Sequence, residues 1–210
     1  MVGILLALKI NDWNEDRKEQ AEFDNYLVQL KIDVSKAITI NQEVTDYLLE
    51  RARASYALIA FLEDPDRSEE ALRIFEEDLL DRLGDYRSVQ LNVGLLGELL
   101  NGKTEVISRD PLLYQRTLDL ISELVGLIDV SEHIARNIDA FRSQLSSFYG
   151  GTHRAIPEME FSYDLDYLES SKEFRYLAQS IARRQASANA TSRRIVRHLS
   201  EFLAALEEYE

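Results

Sequence analysis

The feature that most constrains this chain is an apolar stripe that recurs every three or four residues across residues 23–62. This spacing places its members on one face of an α-helix. The members are Phe23, Leu27, Leu30, Val34, Ile38, Val44, Leu48, Tyr56, Ile59 and Leu62. Proline disfavours helix in the residue before it, so Asp64-Pro65-Asp66 should end the pattern. The stripe predicts one long helix of a rod or bundle.

The rest of the chain carries further helical stripes, and these are bounded by helix-start and helix-stop residues. The predicted boundaries are an N-cap at Ser68, a stop at Asn101-Gly102, a start at Asp110-Pro111, a stop after Tyr149, a capping box at Ser170 and Glu173, and a last stop near Glu208. Turn residues are scarce, with 8 Gly and 3 Pro in 210 residues. We therefore predict an all-α antiparallel helical bundle with a long N-terminal helix.

An apolar run at residues 2–10 precedes the stripe and gives way to the hydrophilic residues 11–18. Nine helical residues rise about 14 Å, roughly half of a bilayer's hydrocarbon core. Trp13 lies at the boundary, and an indole prefers the headgroup level of a membrane. We interpret residues 1–18 as the end of a truncated transmembrane helix, with Leu8, Ile10 and Trp13 at the membrane interface. The alternative is an ordinary core segment of a soluble helix.

The sequence at residues 6–18 reads L-A-L-K-I-N-D-W-N-E-D-R-K. It resembles the signature L-A-L-[QK]-[IV]-N-[ND]-W-N-E-x-R-K of a family of uncharacterised bacterial single-pass membrane proteins. A second, weaker likeness begins at Leu99-Leu100-Asn101-Gly102-Lys103. The resemblance implies an inner-membrane helix completed before residue 1 and a periplasmic domain, which we expect to be a single helical bundle at residues 19–210. It implies no catalytic residues.

Composition narrows the classes of partner. The chain has 38 acidic and 24 basic residues, for a formal net charge of −14. Such a surface repels nucleic-acid phosphates, so we expect no nucleic-acid partner. The absence of cysteine excludes disulfides, thiolate catalysis and cysteine-ligated metals.

One sequence motif suggests nucleotide binding. Residues 97–104 read G-E-L-L-N-G-K-T and satisfy the phosphate-loop pattern G-x-x-x-x-G-K-[ST]. However, no strand–loop–helix pattern surrounds them, and a helix end capped by Asn101-Gly102 explains the same letters. The histidines lack the glutamate–histidine spacing of di-iron bundles. We therefore predict no catalytic residue, no metal site and no cofactor.

The remaining candidate site is a loop rich in aromatic side chains next to Gly150-Gly151. A histidine, an arginine and aromatic rings on one loop suit an anionic or aromatic ligand. The candidate ligand-binding residues are Tyr149, His153, Arg154, Phe161 and Tyr163. The alternative is a cluster that seals the end of the bundle.

Together these features predict a membrane-anchored, extracytoplasmic helical bundle. We expect it to act in sensing or interaction, through contact with a ligand or an unknown protein partner, and not by catalysis. One alternative is a structural scaffold that forms a homo-oligomer through its N-terminal helix. The other is a nucleotide-binding protein or an enzyme. Glycines inserted near Arg17 should disrupt any mechanical coupling between anchor and bundle.

Overall fold

The long N-terminal helix is present. The computed structural model describes residues 2–64, 66, 68–75, 83–145, 147–150 and 162–209, without the side chains of residues 2–8, 10, 149, 150, 162 and 163. Helix α1 spans Val2–Glu63, 62 residues, and ends before the predicted stop at Asp64. No helix in the described part of the chain is long and apolar enough to cross a membrane.

The other described elements follow in chain order. They are α2 (Glu69–Ile74), α3 (Gly94–Leu100), a 3-10 turn (Ile107–Arg109), α4 (Pro111–Leu145), β1 (Tyr149–Gly150), β2 (Ser162–Tyr163), α5 (Leu165–Ser170) and α6 (Lys172–Glu207). The two short strands pair antiparallel, with Tyr149 opposite Tyr163. The sequence predicted an irregular loop between residues 150 and 164, so this ladder was not expected.

The predicted helix starts at Ser68 and Asp110 are confirmed. The Ser68 hydroxyl accepts a hydrogen bond from the Ala71 amide at 3.1 Å. The Asp110 carboxylate accepts one from the Leu113 amide at 2.8 Å. Both side chains satisfy amides that a helix leaves free in its first turn.

Two predicted boundaries are wrong. Helix α4 ends at Leu145 and not at Tyr149. Ser171, not Ser170, caps the last long helix, because its hydroxyl accepts from the Phe174 amide at 3.1 Å. Ser170 instead ends the unpredicted helix α5, whose own N-cap is Asp164.

The contacts divide the chain into two compact units. Unit 1 contains Met1–Ile40, Gln90–Val125 and Val196–Glu210, and unit 2 contains Asn41–Val89 and Gly126–Ile195. Helices α1, α4 and α6 each contribute a segment to both units.

Helix α6 runs antiparallel to α4 in unit 1 and to α1 in unit 2. In unit 1, Arg116 of α4 pairs with Glu208, the residue after α6, while Glu123, further along α4, lies beside His198, further back along α6. In unit 2, Thr45 of α1 contacts Ser192 of α6, and Ser55 contacts Gln185. Residue numbers therefore rise along one helix as they fall along its neighbour, which confirms the predicted antiparallel bundle.

Most of the predicted stripe on α1 is buried. The buried members are Leu27, Leu30, Val34, Val44, Leu48, Ile59 and Leu62. Tyr56 is an error, since it is 48% exposed while its neighbour Ser55 is fully buried. Consecutive helical residues point about 100° apart, so one position separates the core face from solvent. The chain buries a small polar residue where an aromatic one was expected.

Candidate functional site

The N-terminal part of α1 presents its described side chains to solvent. Lys9 and all of residues 11–22 are exposed, and Trp13 is 60% exposed. The Arg17 guanidinium lies over the Trp13 ring, 5.7 Å from its centroid. Further along, the backbone carbonyl of Glu19 accepts a hydrogen bond from the Arg109 side chain at 3.1 Å. The side chains of Leu8 and Ile10 lie outside the described residues, so the membrane-interface site stays a prediction.

The predicted ligand-binding loop is only partly described. His153, Arg154 and Phe161 lie outside the described residues. The backbones of Tyr149 and Tyr163 face each other across the β1–β2 ladder, so the chain brings the two ends of this loop together. A ligand pocket at this loop stays a prediction.

The phosphate-loop motif lies at the end of a helix. Gly97 belongs to α3, and the Gly102 and Lys103 amides donate to the Leu99 and Glu98 carbonyls at 2.9 and 3.1 Å. With Gly102 at φ +85°, these bonds form a Schellman helix end. The phosphate-binding interpretation needs amides that are free to point at phosphates. Here the two amides already have backbone partners, so this segment is a helix cap.

Unit 2 contains a buried polar layer between α1 and α6 that the apolar pattern did not predict. We call it the polar seam; its residues are Asn41, Thr45 and Ser55 of α1 and Gln185, Asn189 and Ser192 of α6. The Thr45 and Ser192 hydroxyls lie 2.7 Å apart, and the Asn189 side-chain amide donates to the Thr45 carbonyl at 2.7 Å. Such hydrogen bonds form in only one register of the two helices. The seam therefore fixes how α1 packs along α6.

Unit 1 contains a groove between α4 and α6. The α4–α6 groove has a volume of about 390 Å³, within the range of small-molecule sites. Its lining includes Asp119, Leu120 and Glu123 from α4 and His198, Glu201 and Phe202 from α6. Leu120 and Phe202 are buried, so they form an apolar floor beneath charged walls.

His198 lies between carboxylates of two helices in this groove. Its Nδ1 lies 3.4 Å from a Glu201 oxygen, and its Nε2 lies 3.9 Å from a Glu123 oxygen. The sequence predicted a helix-surface or partly buried polar residue at His198, and its side chain is partly buried, at 18% exposure. The three-residue step from His198 to Glu201 was the available signal, because residues three apart share a helix face. Glu123 comes from another helix and had no local signal.

His198, Glu123 and Glu201 do not form a metal site. Among the described residues, no group of three or more histidine, aspartate or glutamate side chains could hold a metal ion.

Comparison of the chain with known protein families, curated proteins and solved structures finds no match.

Proposed function

We propose that the chain is a membrane-tethered, extracytoplasmic helical bundle that acts by contact with a ligand or partner. The observation that carries this proposal is the continuity of α1. One helix contains the N-terminal apolar run, the exposed residues 11–22 and the buried stripe that begins at Leu27. A tether and a bundle core on one unbroken helix move together.

The geometry of α1 supports mechanical coupling. Leu27 lies fourteen positions after Trp13, which is a helical rise of about 21 Å. The polar seam holds α1 further along, at Thr45 and Ser55. A ligand that favours another packing of α1 would then shift the equilibrium at the tether.

The chain offers a direct test of tethering, because Trp13 is its single tryptophan. We expect its fluorescence to shift to the blue when phosphatidylcholine vesicles are added, and brominated lipids to quench it, because the indole enters the headgroup level. Replacing Leu5 and Leu8 with aspartate should remove both effects, since charges in an apolar segment oppose insertion. The matched control, Val28→Asp with Ile32→Asp further along α1, should retain them. An unshifted, unquenched spectrum of the native chain would contradict tethering.

Mechanical coupling between the tether and the bundle needs a separate measurement. Four glycines inserted after Arg17 should leave the Trp13 shift intact and break the helix that connects it to the bundle. In the native chain we expect vesicle binding to change hydrogen exchange at amides near Thr45, and the insertion should abolish this change. Equal exchange changes in both proteins would rule out a rigid connection.

A second candidate function is a scaffold that oligomerises through α1. The observation that favours it is a pair of exposed apolar side chains one turn apart, Val28 and Ile32, at 56% and 54% exposure. Such a pair suits contact with a second copy of the helix. Solution mass distinguishes this candidate from the first.

A further inference from the structure

We propose that residues 94–109 form a brace along α1, which stiffens this helix between its exposed N-terminal part and the core of unit 1. The brace consists of α3, the 3-10 turn and the residues between them. Its inner end is permanent and its outer end is releasable. The brace itself does not depend on membrane tethering, whereas its role in mechanical coupling rests on the proposed function.

The brace runs antiparallel to α1. At its outer end the Arg109 side chain donates to the Glu19 carbonyl at 3.1 Å, and at its inner end the Leu95 amide donates to the Asp33 carboxylate at 2.8 Å. Glu19 and Asp33 are fourteen positions apart, a helical rise of about 21 Å. Residue numbers therefore rise along α1 as they fall along the brace.

Tyr26 places the middle of the brace on the same face of α1. It lies seven positions from both Glu19 and Asp33, and residues seven apart share a helix face. Burial raises the pKa of the Tyr26 hydroxyl to about 12, and the negative charges of Glu98 and Glu105 in the brace raise it as well. The brace therefore lies beside α1 over about four helical turns.

Asp33 fixes the inner end of the brace. Its side chain is buried, and it supplies a cap to α3, whose own N-cap residue Val93 makes no side-chain hydrogen bond. Gly94 packs against this carboxylate at φ +46°, and a Cβ there would overlap the carboxylate oxygens. Leu96 and Leu99 of α3 are fully buried, so detaching this end would expose apolar surface to water.

Arg109 holds the outer end through an exposed hydrogen bond, which contributes little because water can replace either partner. Its acceptor Glu19 lies six positions after Trp13 and eight positions before Leu27, where the buried stripe begins. A helical segment this short is only marginally stable by itself, so the contact with Arg109 adds rigidity to it.

The difference between the two ends allows the stiffness of α1 to change. With Arg109 bound, α1 is held from Glu19 onwards. With Arg109 released, it is held only from Leu27 onwards, about 12 Å further along the helix. The released state should therefore transmit motion of the tether less well to the rest of α1.

Amide hydrogen exchange of the chain without vesicles tests the outer end. Arg109→Ala should speed exchange at least threefold at the Phe23 amide, whose helical acceptor is the Glu19 carbonyl, and leave the Leu30 amide unchanged. The matched control is Arg136→Ala, an exposed α4 arginine of unit 2 that pairs within its own helix, which should exchange like the native chain. Equal Phe23 exchange in the native chain and Arg109→Ala overturns the proposal, as does equal acceleration by the control.

Two substitutions test the inner end. Asp33→Ala should speed exchange of the Leu95 amide at least tenfold, and Asp33→Asn, which retains an acceptor oxygen, should keep part of the protection. The thermal midpoint shows whether each variant stays folded, and Asp33→Asn carries the comparison where the alanine variant does not fold. A Leu95 amide that exchanges as in the native chain overturns the role of Asp33.

Phosphatidylcholine vesicles separate the brace from the tether. Arg109→Ala should keep the blue shift of Trp13 and reduce the vesicle-induced exchange change near Thr45 at least twofold. An undiminished change near Thr45 overturns the role of the brace in coupling. A native chain without the Trp13 shift contradicts tethering alone, and exchange measured without vesicles still decides whether the brace exists.

Discussion

Gln185 uses both ends of its side-chain amide inside unit 2. Its Oε1 accepts from the Ser55 hydroxyl at 2.6 Å, and its Nε2 donates to the Asp85 carbonyl at 3.0 Å. Both Gln185 and Ser55 are fully buried. The single side chain therefore connects α1, α6 and the segment after Gly84.

Replacing Ser55 with alanine should destabilise the chain by about 1–3 kcal/mol, because it leaves the buried Gln185 oxygen without its donor. Urea denaturation measures the loss. The control is Ser187→Ala on α6, where an exposed hydroxyl bonds only to the Arg183 carbonyl of its own helix. That change should cost less than about 0.5 kcal/mol. Equal losses in the two variants would mean that the seam contributes no more than a surface hydroxyl.

At the residue scale, the sequence predicts the apolar half of the core and misses its polar half. Leu30, Val34 and Leu48 are buried as the three-and-four spacing indicated. Thr45 and Ser55 occupy the same face, but a hydroxyl is buried only where a partner satisfies it. The partners Ser192 and Gln185 lie on α6, and no local pattern connects the two helices.

Helix boundaries set by a local signal were predictable, and those that depend on the neighbouring segment were not. A start depends on one capping side chain and the amides just after it, as at Ser68 and Asp110. The end of α4 depends on the residues that follow, and β1 begins where continued helix was expected. Ser170 and Ser171 are both suitable caps, and the existence of α5 decides between them.

The start of α4 should depend on pH through Asp110. Hydrogen bonds lower the pKa of this carboxyl, and the bond from the Leu113 amide has the largest effect. Burial raises the pKa, and the hydrogen bond from the Tyr209 hydroxyl lowers it further. A lowered pKa means that the stabilisation is present above the ordinary aspartate pKa and is lost as the pH falls through the lowered value.

Asp110→Asn tests this dependence, because asparagine also caps helices but carries no charge. The native chain should be more stable than the variant by about 0.3–1 kcal/mol at pH 7, the typical value of a negative charge at a helix start. The difference should shrink as the pH falls below the ordinary aspartate pKa of 3.8. Urea denaturation at several pH values measures it, and a difference that stays constant would contradict a role for the charge.

At the scale of the whole molecule, the fold class follows from the sequence but the candidate groove does not. The spacing of apolar residues and the capping residues are local signals in the sequence, so the all-α bundle and the long first helix were predictable. The groove brings Glu123 and His198 together from helices far apart in the chain. Their proximity depends on which stretches of α4 and α6 face each other, and the shape of the packed helices sets that alignment.

The tether and scaffold candidates predict different behaviour when residues 1–18 are removed. Lys9 and residues 11–18 are exposed, so the bundle should fold without them and keep its thermal midpoint within a few degrees. The tether proposal expects a monomeric mass for the shortened chain in light scattering, with loss of vesicle binding. The scaffold candidate expects the native chain to form a defined oligomer in detergent-free buffer that dissociates on Val28→Lys with Ile32→Lys. Because those two side chains remain in the shortened chain, the double lysine variant separates an α1 interface from aggregation of the apolar run. A monomeric native chain that binds vesicles would exclude the scaffold.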